Sequence, residues 1–281
     1  MELSKGGVNL TCRKVKEGCL KIAYFRSIMK VTFLGTGTSQ GVPVIACHCP
    51  VCRSVDLKDK RLRTSIMITS EATQVVIDSG PDFRQQMLAH DVQHLDAIVF
   101  THEHKDHVAG MDDVRAFNYR SGEDMKIYCT NRVEHALRRE FAYVFENAHY
   151  PGVPKVKLHR IAEDEFTIGD ISFLPLPVMH LKMPVLGFRM GSFSYITDAN
   201  FISESTKEKM RGSEILVINA LRHEPHPSHF TLAEAIELVE ELQIPKVYLT
   251  HISHQLGTHE EVSALLPPHI QIAHDGLAIE I

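Results

Sequence analysis

The sequence predicts an α/β sandwich: two sheets packed face to face with helices outside. From Lys30 onward, short runs rich in Val, Ile, Phe and Tyr alternate with turn-rich or amphipathic segments, as strands joined by loops and helices do. The early runs come in pairs, whereas the later ones alternate with helical patterns, so strands supply two layers and helices their outer cover. At 281 residues, 44% hydrophobic and 23% charged, the chain falls within globular averages and can bury a substantial core.

Residues 1–28 are mixed in charge and carry no sustained period. They read as an extension with no part in catalysis, ahead of one domain over 29–281. Lys21 interrupts the segment CLKIAYF, which therefore lacks the apolar core of a signal peptide. No stretch reaches the roughly eighteen apolar residues of a membrane helix, and a cytoplasmic location is expected.

The domain opens with the strand VTFL. TSIMIT and TQVVID follow as a hairpin, then AIVFT, a helix over VAGMDDVRAFNYR, and KIYC. After ISFLPL, the strands VLGFRM and FSYITD form a second hairpin across the two-residue turn Gly191-Ser192. EILVIN precedes the clearest helix, which sets Leu232, Ala235, Ile236, Val239 and Leu242 on one face behind a Thr231–Glu234 capping box. KVYLT and a last helix opened by Thr258 and Glu261 complete the order.

The formal charge of -5 comes without a long basic block, which argues against a general binder of nucleic-acid backbones. A small anionic substrate needs only local positive charge. Of the six cysteines, Cys47, Cys49 and Cys52 crowd into one loop, which in a cytosolic chain points to metal ligation rather than disulfides. Cys12, Cys19 and Cys129 have no such neighbours and read as bystanders.

The segment Thr101-His-Glu-His-Lys-Asp-His107 leaves the carboxyl end of the run AIVF. In extended chain, residues two apart point the same way, so His102 and His104 can grip one ion together. Asp106 and His107, beyond the turn, can address a second. Zn, Mn and Fe accept imidazole and carboxylate, and two ions about 3.5–4 Å apart can clamp both the attacking and the leaving oxygen.

This segment resembles the HxHxDH signature of the metallo-β-lactamase superfamily, whose αββα sandwich has two mixed sheets. The resemblance implies His180 as the third histidine of the first site and Asp198 as the bridge between ions. His251 would complete the second site with Asp106 and His107, while Asp78 would orient the metal-bearing loops. The Gly35–Pro43 segment GTGTSQGVP, the Cys47-x-Cys49-x-x-Cys52 loop and GMDDVRAFN are similar to the PhnP-type phosphoribosyl cyclic phosphate phosphodiesterases. That similarity implies a structural zinc held by Cys47, Cys49, Cys52 and His254, and His229 as general acid. It also implies two catalytic Mn or Zn ions and a homodimer.

The expected reaction is hydrolysis of a small phosphodiester, a cyclic ribose phosphate among the candidates, by hydroxide activated on the metal pair. His223 and His226 are assigned to the ordinary task of starting the following helix. The nearest rival is a tRNA 3′-end endoribonuclease of the same superfamily, which would share every ligand. Such enzymes typically carry an extended arm, and no long insertion rich in Lys, Arg and Gly is present here. A thioesterase, a lactamase and a non-catalytic metal-binding module are the remaining alternatives.

Overall fold

A computed structural model describes residues 29–146 and 152–281; residues 1–28, where the extension reading falls, lie outside the described residues. Strands β1 (Lys30–Gly35), β2 (Ser65–Thr69), β3 (Gln74–Ile77), β4 (Ala97–Val99), β5 (Met125–Cys129) and β6 (Val156–Arg160) build most of the first sheet. The second takes β7 (Phe166–Ile168), β8 (Ile171–His180), β9 (Met183–Met190), β10 (Phe193–Tyr195), β11 (Phe201–Ile202), β12 (Ile215–Asn219), β13 (Lys246–Thr250) and β14 (Ile270–Ile272). β15 (Ala278–Glu280) returns to the first sheet, whose order is β15-β1-β2-β3-β4-β5-β6; the second runs β11-β8-β9-β10-β12-β13-β14, with β7 paired to β8.

Both sheets are mixed. In the first, pairing is antiparallel from β15 to β3 and parallel from β3 to β6. In the second it is antiparallel from β11 to β10 and parallel from β10 to β14. The hairpins join antiparallel neighbours and the crossovers join parallel ones. The two expected hairpins form, with Ile66 opposite Ile77 and Phe193 opposite Met190, and Gly191 takes the positive φ (58°) that the tight turn requires.

Strand alternation divides the core. Val31, Phe33, Val75, Ile77, Ala97 and Val99 pack with Phe173, Phe188, Tyr195, Val217 and Tyr248 in one apolar cluster between the sheets. Their neighbours Val76 and Ile98 join a second cluster with Phe83, Val133 and Leu137 of the covering helices. Leu216, Ile218, Val247 and Leu249 meet Ala235, Val239 and Leu242 in a third. Because both faces are covered, the strands read as near-continuous apolar runs, and each large side chain fully buried stabilises the fold by roughly 1.5–3 kcal/mol.

Both capping boxes form, at Thr231–Glu234 and Thr258–Glu261. The helix expected over VAGMDDVRAFNYR is broken into Lys105–Val108, a 3₁₀ turn Met111–Val114 and Arg115–Ser121. Gly110 is the cause: its N–H turns out of the helical ladder to the Ser79 carbonyl at 2.9 Å. Among the described residues, no helix is long and apolar enough to cross a membrane.

Candidate metal centre

The strands at or beside the parallel half of each sheet deliver most of the polar residues, and β8 of the antiparallel half delivers His180. Asp78 follows β3, Thr101 and His102 follow β4, Asp198 follows β10 and His251 follows β13, while His180 closes β8. Asp78, Asp198 and His251 have φ of 66°, 47° and 56°, a left-handed conformation that costs a residue with a side chain about 1–3 kcal/mol and that clusters at functional sites. These turns swing the chain sharply off each strand end.

Asp78 is fully buried and accepts three hydrogen bonds, from Thr101 N–H (2.9 Å), Thr101 Oγ1–H (2.8 Å) and His107 Nδ1–H (2.7 Å). Burial raises its pKa against the pull of His107. Three histidines have Nδ1 committed to acceptors, which directs each Nε2 into the pocket. His107 donates to Asp78, His180 to the Ser228 carbonyl (2.6 Å), and His102 to Thr101 Oγ1 (2.9 Å), whose own proton goes to Asp78.

Asp198 sits at the centre, 2% exposed. Its Oδ1 lies 3.3 Å from both His107 Nε2 and His251 Nε2. Its Oδ2 lies 3.8 Å from His102 Nε2 and 3.3 Å from His229 Nε2. The two oxygens thus address different histidines. Donor atoms of Asp106, His107, Asp198 and His251 all fall within 4.8 Å of one another, as do those of His102, His104 and Asp198, and those of His180, Asp198 and His229. The His180 ring centroid is 5.2 Å from that of His104 and 5.8 Å from that of His102.

Electrostatics follow from this crowding. Burial alone would depress His107, yet Asp198, Asp106 and Asp78 carry it well above the usual imidazole range. Burial would raise Asp198, but His251 and His107 hold it well below the carboxylate range. Burial lowers His102 well below its usual value and takes His229 down to about 4, against the pull of Asp198.

The donor set fits divalent cations. Nε2 of His102 and His107 and both ring nitrogens of His251 are buried without a hydrogen-bond partner. Orphaned buried polar atoms are costly, and a cation amid imidazoles and carboxylates would satisfy them.

The cysteine loop passes the same test. His254 Nδ1 lies 3.4 Å from the sulfurs of Cys47 and Cys49 and 3.6 Å from that of Cys52. A tetrahedral zinc with Zn–S of about 2.3 Å and Zn–N of about 2.0–2.1 Å sets the sulfur–nitrogen edge near 3.5 Å. The Cys52 N–H helps bring Cys49 down to about 6, whereas burial pushes Cys52 up to about 11. The Gly35–Pro43 loop is tied to the His251 strand end by Ile252 N–H to Thr36 O (2.8 Å) and Thr38 N–H to Ile252 O (3.1 Å). Cys129 is buried away from these ligands, and Cys12 and Cys19 lie outside the described residues.

Several contributors escape sequence reasoning. Asn219 exchanges two 2.9 Å hydrogen bonds with the backbone of Ala199, bracing the turn beside Asp198. Ser228 acts through a carbonyl, for which no sequence signal exists. His226, expected to serve the helix start, has Nδ1 3.1 Å from His229 Nδ1 and adjoins the site. His223 instead reaches the Leu256 carbonyl at 2.8 Å. Gly80 is also essential, since a Cβ there would meet the Asp106 carbonyl oxygen at 2.0 Å. Gly80→Ala is therefore expected to displace the Asp106–His107 turn and cut metal-dependent activity by about a hundredfold or more. Assaying this variant beside its far-UV spectrum checks that; full activity would contradict it.

The fold and this site are those of a metal-dependent hydrolase. Residues 73–252 match the β-lactamase superfamily domain. Over 90% of its length, the chain superposes on 97% of a crystal structure of a diphosphatase from the PhnP family, with TM-score 0.85 and 41% sequence identity. The chain belongs to the PhnP family of the metallo-β-lactamase superfamily. It is also 40% identical over 252 residues to an octanoyltransferase of Porphyromonas gingivalis, a match covering 89% of this chain and 51% of that protein. The chain thus spans about half the length of that relative. Zn-bound PqqB from Methylobacterium extorquens shares the fold at TM-score 0.73 and 19% identity, over 90% of this chain and all of the other.

Proposed function

We propose that this chain is a metal-dependent phosphodiesterase acting on a small phosphodiester, a cyclic ribose phosphate among the candidates. The observation that supports it most is the imidazole of His229 beside the shared carboxylate of Asp198, with Nε2 3.3 Å from Oδ2. Two divalent ions, Zn or Mn, held by His102, His104, His180, Asp198, Asp106, His107 and His251, would supply a water of lowered pKa and neutralise the phosphate oxygens. A zinc at Cys47, Cys49, Cys52 and His254 would be structural.

The chain's own residues do the rest. Asp78 and the Ser228 carbonyl hold His107 and His180 with Nε2 facing inward. His229, stacked on His251 with ring centroids 4.7 Å apart, carries its proton at Nε2 to the departing sugar oxygen. In the free pocket burial holds this ring near 4, and an anionic phosphodiester restores its proton affinity on binding. His229→Ala is expected to cut turnover about a hundredfold or more on an ester with a poor leaving group. It should cost far less on a nitrophenyl ester, and equal losses on both would contradict the donor role.

A second reading, hydrolysis of a diphosphate linkage, is favoured by the PhnP-family diphosphatase at 41% identity. Assays of cyclic and linear phosphodiesters, a nucleoside diphosphate, precursor tRNA and an octanoyl thioester with added Mn or Zn separate the readings. Turnover of the phosphodiesters supports the proposal. Turnover confined to any other substrate, or none at all, overturns it.

A further inference from the structure

His226 stands outside the proposed ligand set, yet it touches the proposed proton donor. Its Nδ1 lies 3.1 Å from His229 Nδ1, with the ring centroids 4.9 Å apart. Of two imidazole nitrogens in contact, one must supply the hydrogen and the other the lone pair. The Ser228 N–H decides which is which. It donates to His226 Nδ1 at 3.4 Å, so that atom carries a lone pair and the hydrogen of the ring is on Nε2. His229 Nδ1–H is then the donor across the contact. On the other side of the same ring, Nε2 faces Asp198 Oδ2 at 3.3 Å, and a carboxylate oxygen accepts.

His226 is held where this contact needs it. Pro225 and Pro227 flank it; each locks its own φ, and Pro227 also pushes His226 toward extended backbone. The Pro225 carbonyl accepts from Arg222 Nη2–H at 2.9 Å, and the Pro227 carbonyl from Asn200 Nδ2–H at 3.1 Å. The helix that follows does not call on His226, because the Thr231–Glu234 box caps it. Ser228 Oγ also lies 3.2 Å from His229 Nδ1, but a hydroxyl rotates and sets no fixed direction.

We infer that His226 is the positioning residue for His229. By accepting the Nδ1–H it fixes the plane of the ring and keeps Nε2–H aimed at Asp198 and the departing oxygen. This deepens the phosphodiesterase reading and rests on it. His107, His180 and His102 are oriented at the same ring nitrogen by a carboxylate, a carbonyl and a hydroxyl. For His229 a second imidazole takes that part.

Diesters of one ribonucleoside phosphate with methanol or 4-nitrophenol test this, since only the nitrophenolate departs readily without a proton. His226→Ala is expected to cut kcat on the methyl diester about tenfold, with KM and metal content unchanged. On the nitrophenyl diester it should cost less than about twofold. His226→Asn, whose amide oxygen takes roughly the place of Nδ1, should regain most of the rate. Adding H226A to H229A should cost nothing more, because the interaction is already gone. An unchanged rate on the methyl diester, equal losses on both, no rescue by H226N or full additivity in the double variant overturns the assignment. Should the native chain cleave neither diester, the phosphodiesterase reading fails, and long-range ¹H–¹⁵N spectra of the zinc-loaded chain decide the contact. A His229 Nδ1 signal that moves in H226A and returns in H226N supports it, and one indifferent to both overturns it.

Discussion

Asp198→Asn is expected to lower kcat/KM on a phosphodiester by about a thousandfold, equivalent to roughly 4 kcal/mol of transition-state stabilisation, and to reduce the metal bound per chain. The two Asp198 oxygens are divided, Oδ1 between His107 and His251 and Oδ2 between His102 and His229. An amide has only one oxygen to offer, and its NH₂ group presents donors where the pocket needs an acceptor. It also removes the negative charge that buried imidazoles and incoming cations share. The turn itself should persist, because it is braced by Asn219 on the Ala199 backbone. Circular dichroism should therefore change little while elemental analysis shows the loss. Native activity with native metal content would remove Asp198 from its central role.

Cys49→Ala is expected to release one zinc per chain and destabilise the protein on the order of 3 kcal/mol. The loop around it has little else to hold it. Its apolar cluster contains only Val42, Val51 and Cys52 as buried members, with Val44, Cys47 and Cys49 packed against them. Among the ties that remain in the variant are the Lys60 ammonium donating to the Cys52 carbonyl at 3.3 Å, the Val42–Arg61 bridge and the Arg61 guanidinium, which donates to Thr36 Oγ1 at 2.8 Å and the Ala273 carbonyl at 2.6 Å. Unfolding should therefore be local to the loop before it is global, and catalysis should fall less than in Asp198→Asn. Calorimetric unfolding and zinc analysis on the same sample check both parts, and a variant with full zinc and unchanged melting would contradict them.

How much of this was legible in the sequence depended on how local each signal is. His102, His104, Asp106 and His107 share one segment and could be singled out from their spacing, whereas Asp78, Asp198 and His251 lie far apart, each after a β-rich run, and were named only through the family resemblance. The strands of both hairpins and the Thr231 helix announced themselves through apolar period and capping. β7, β11, β14 and β15 did not, being two or three residues long and held by pairing with a neighbour rather than by a pattern of their own. β6 is half-exposed along much of its length. The broken helix after His107 was hidden because Gly110 answers to Ser79, a contact made only in the folded chain. The same is true of Asn219 and the Ser228 carbonyl, whose meaning comes from what the fold sets beside them.

The most direct measurement is a crystal structure of the native chain grown with zinc or manganese, with the ions located by anomalous scattering. Two ions against Asp198, one reached by His107 and His251 and the other by His102, with a third at Cys47, Cys49, Cys52 and His254, is the predicted result. Full occupancy elsewhere, with none in contact with Asp198, would contradict it.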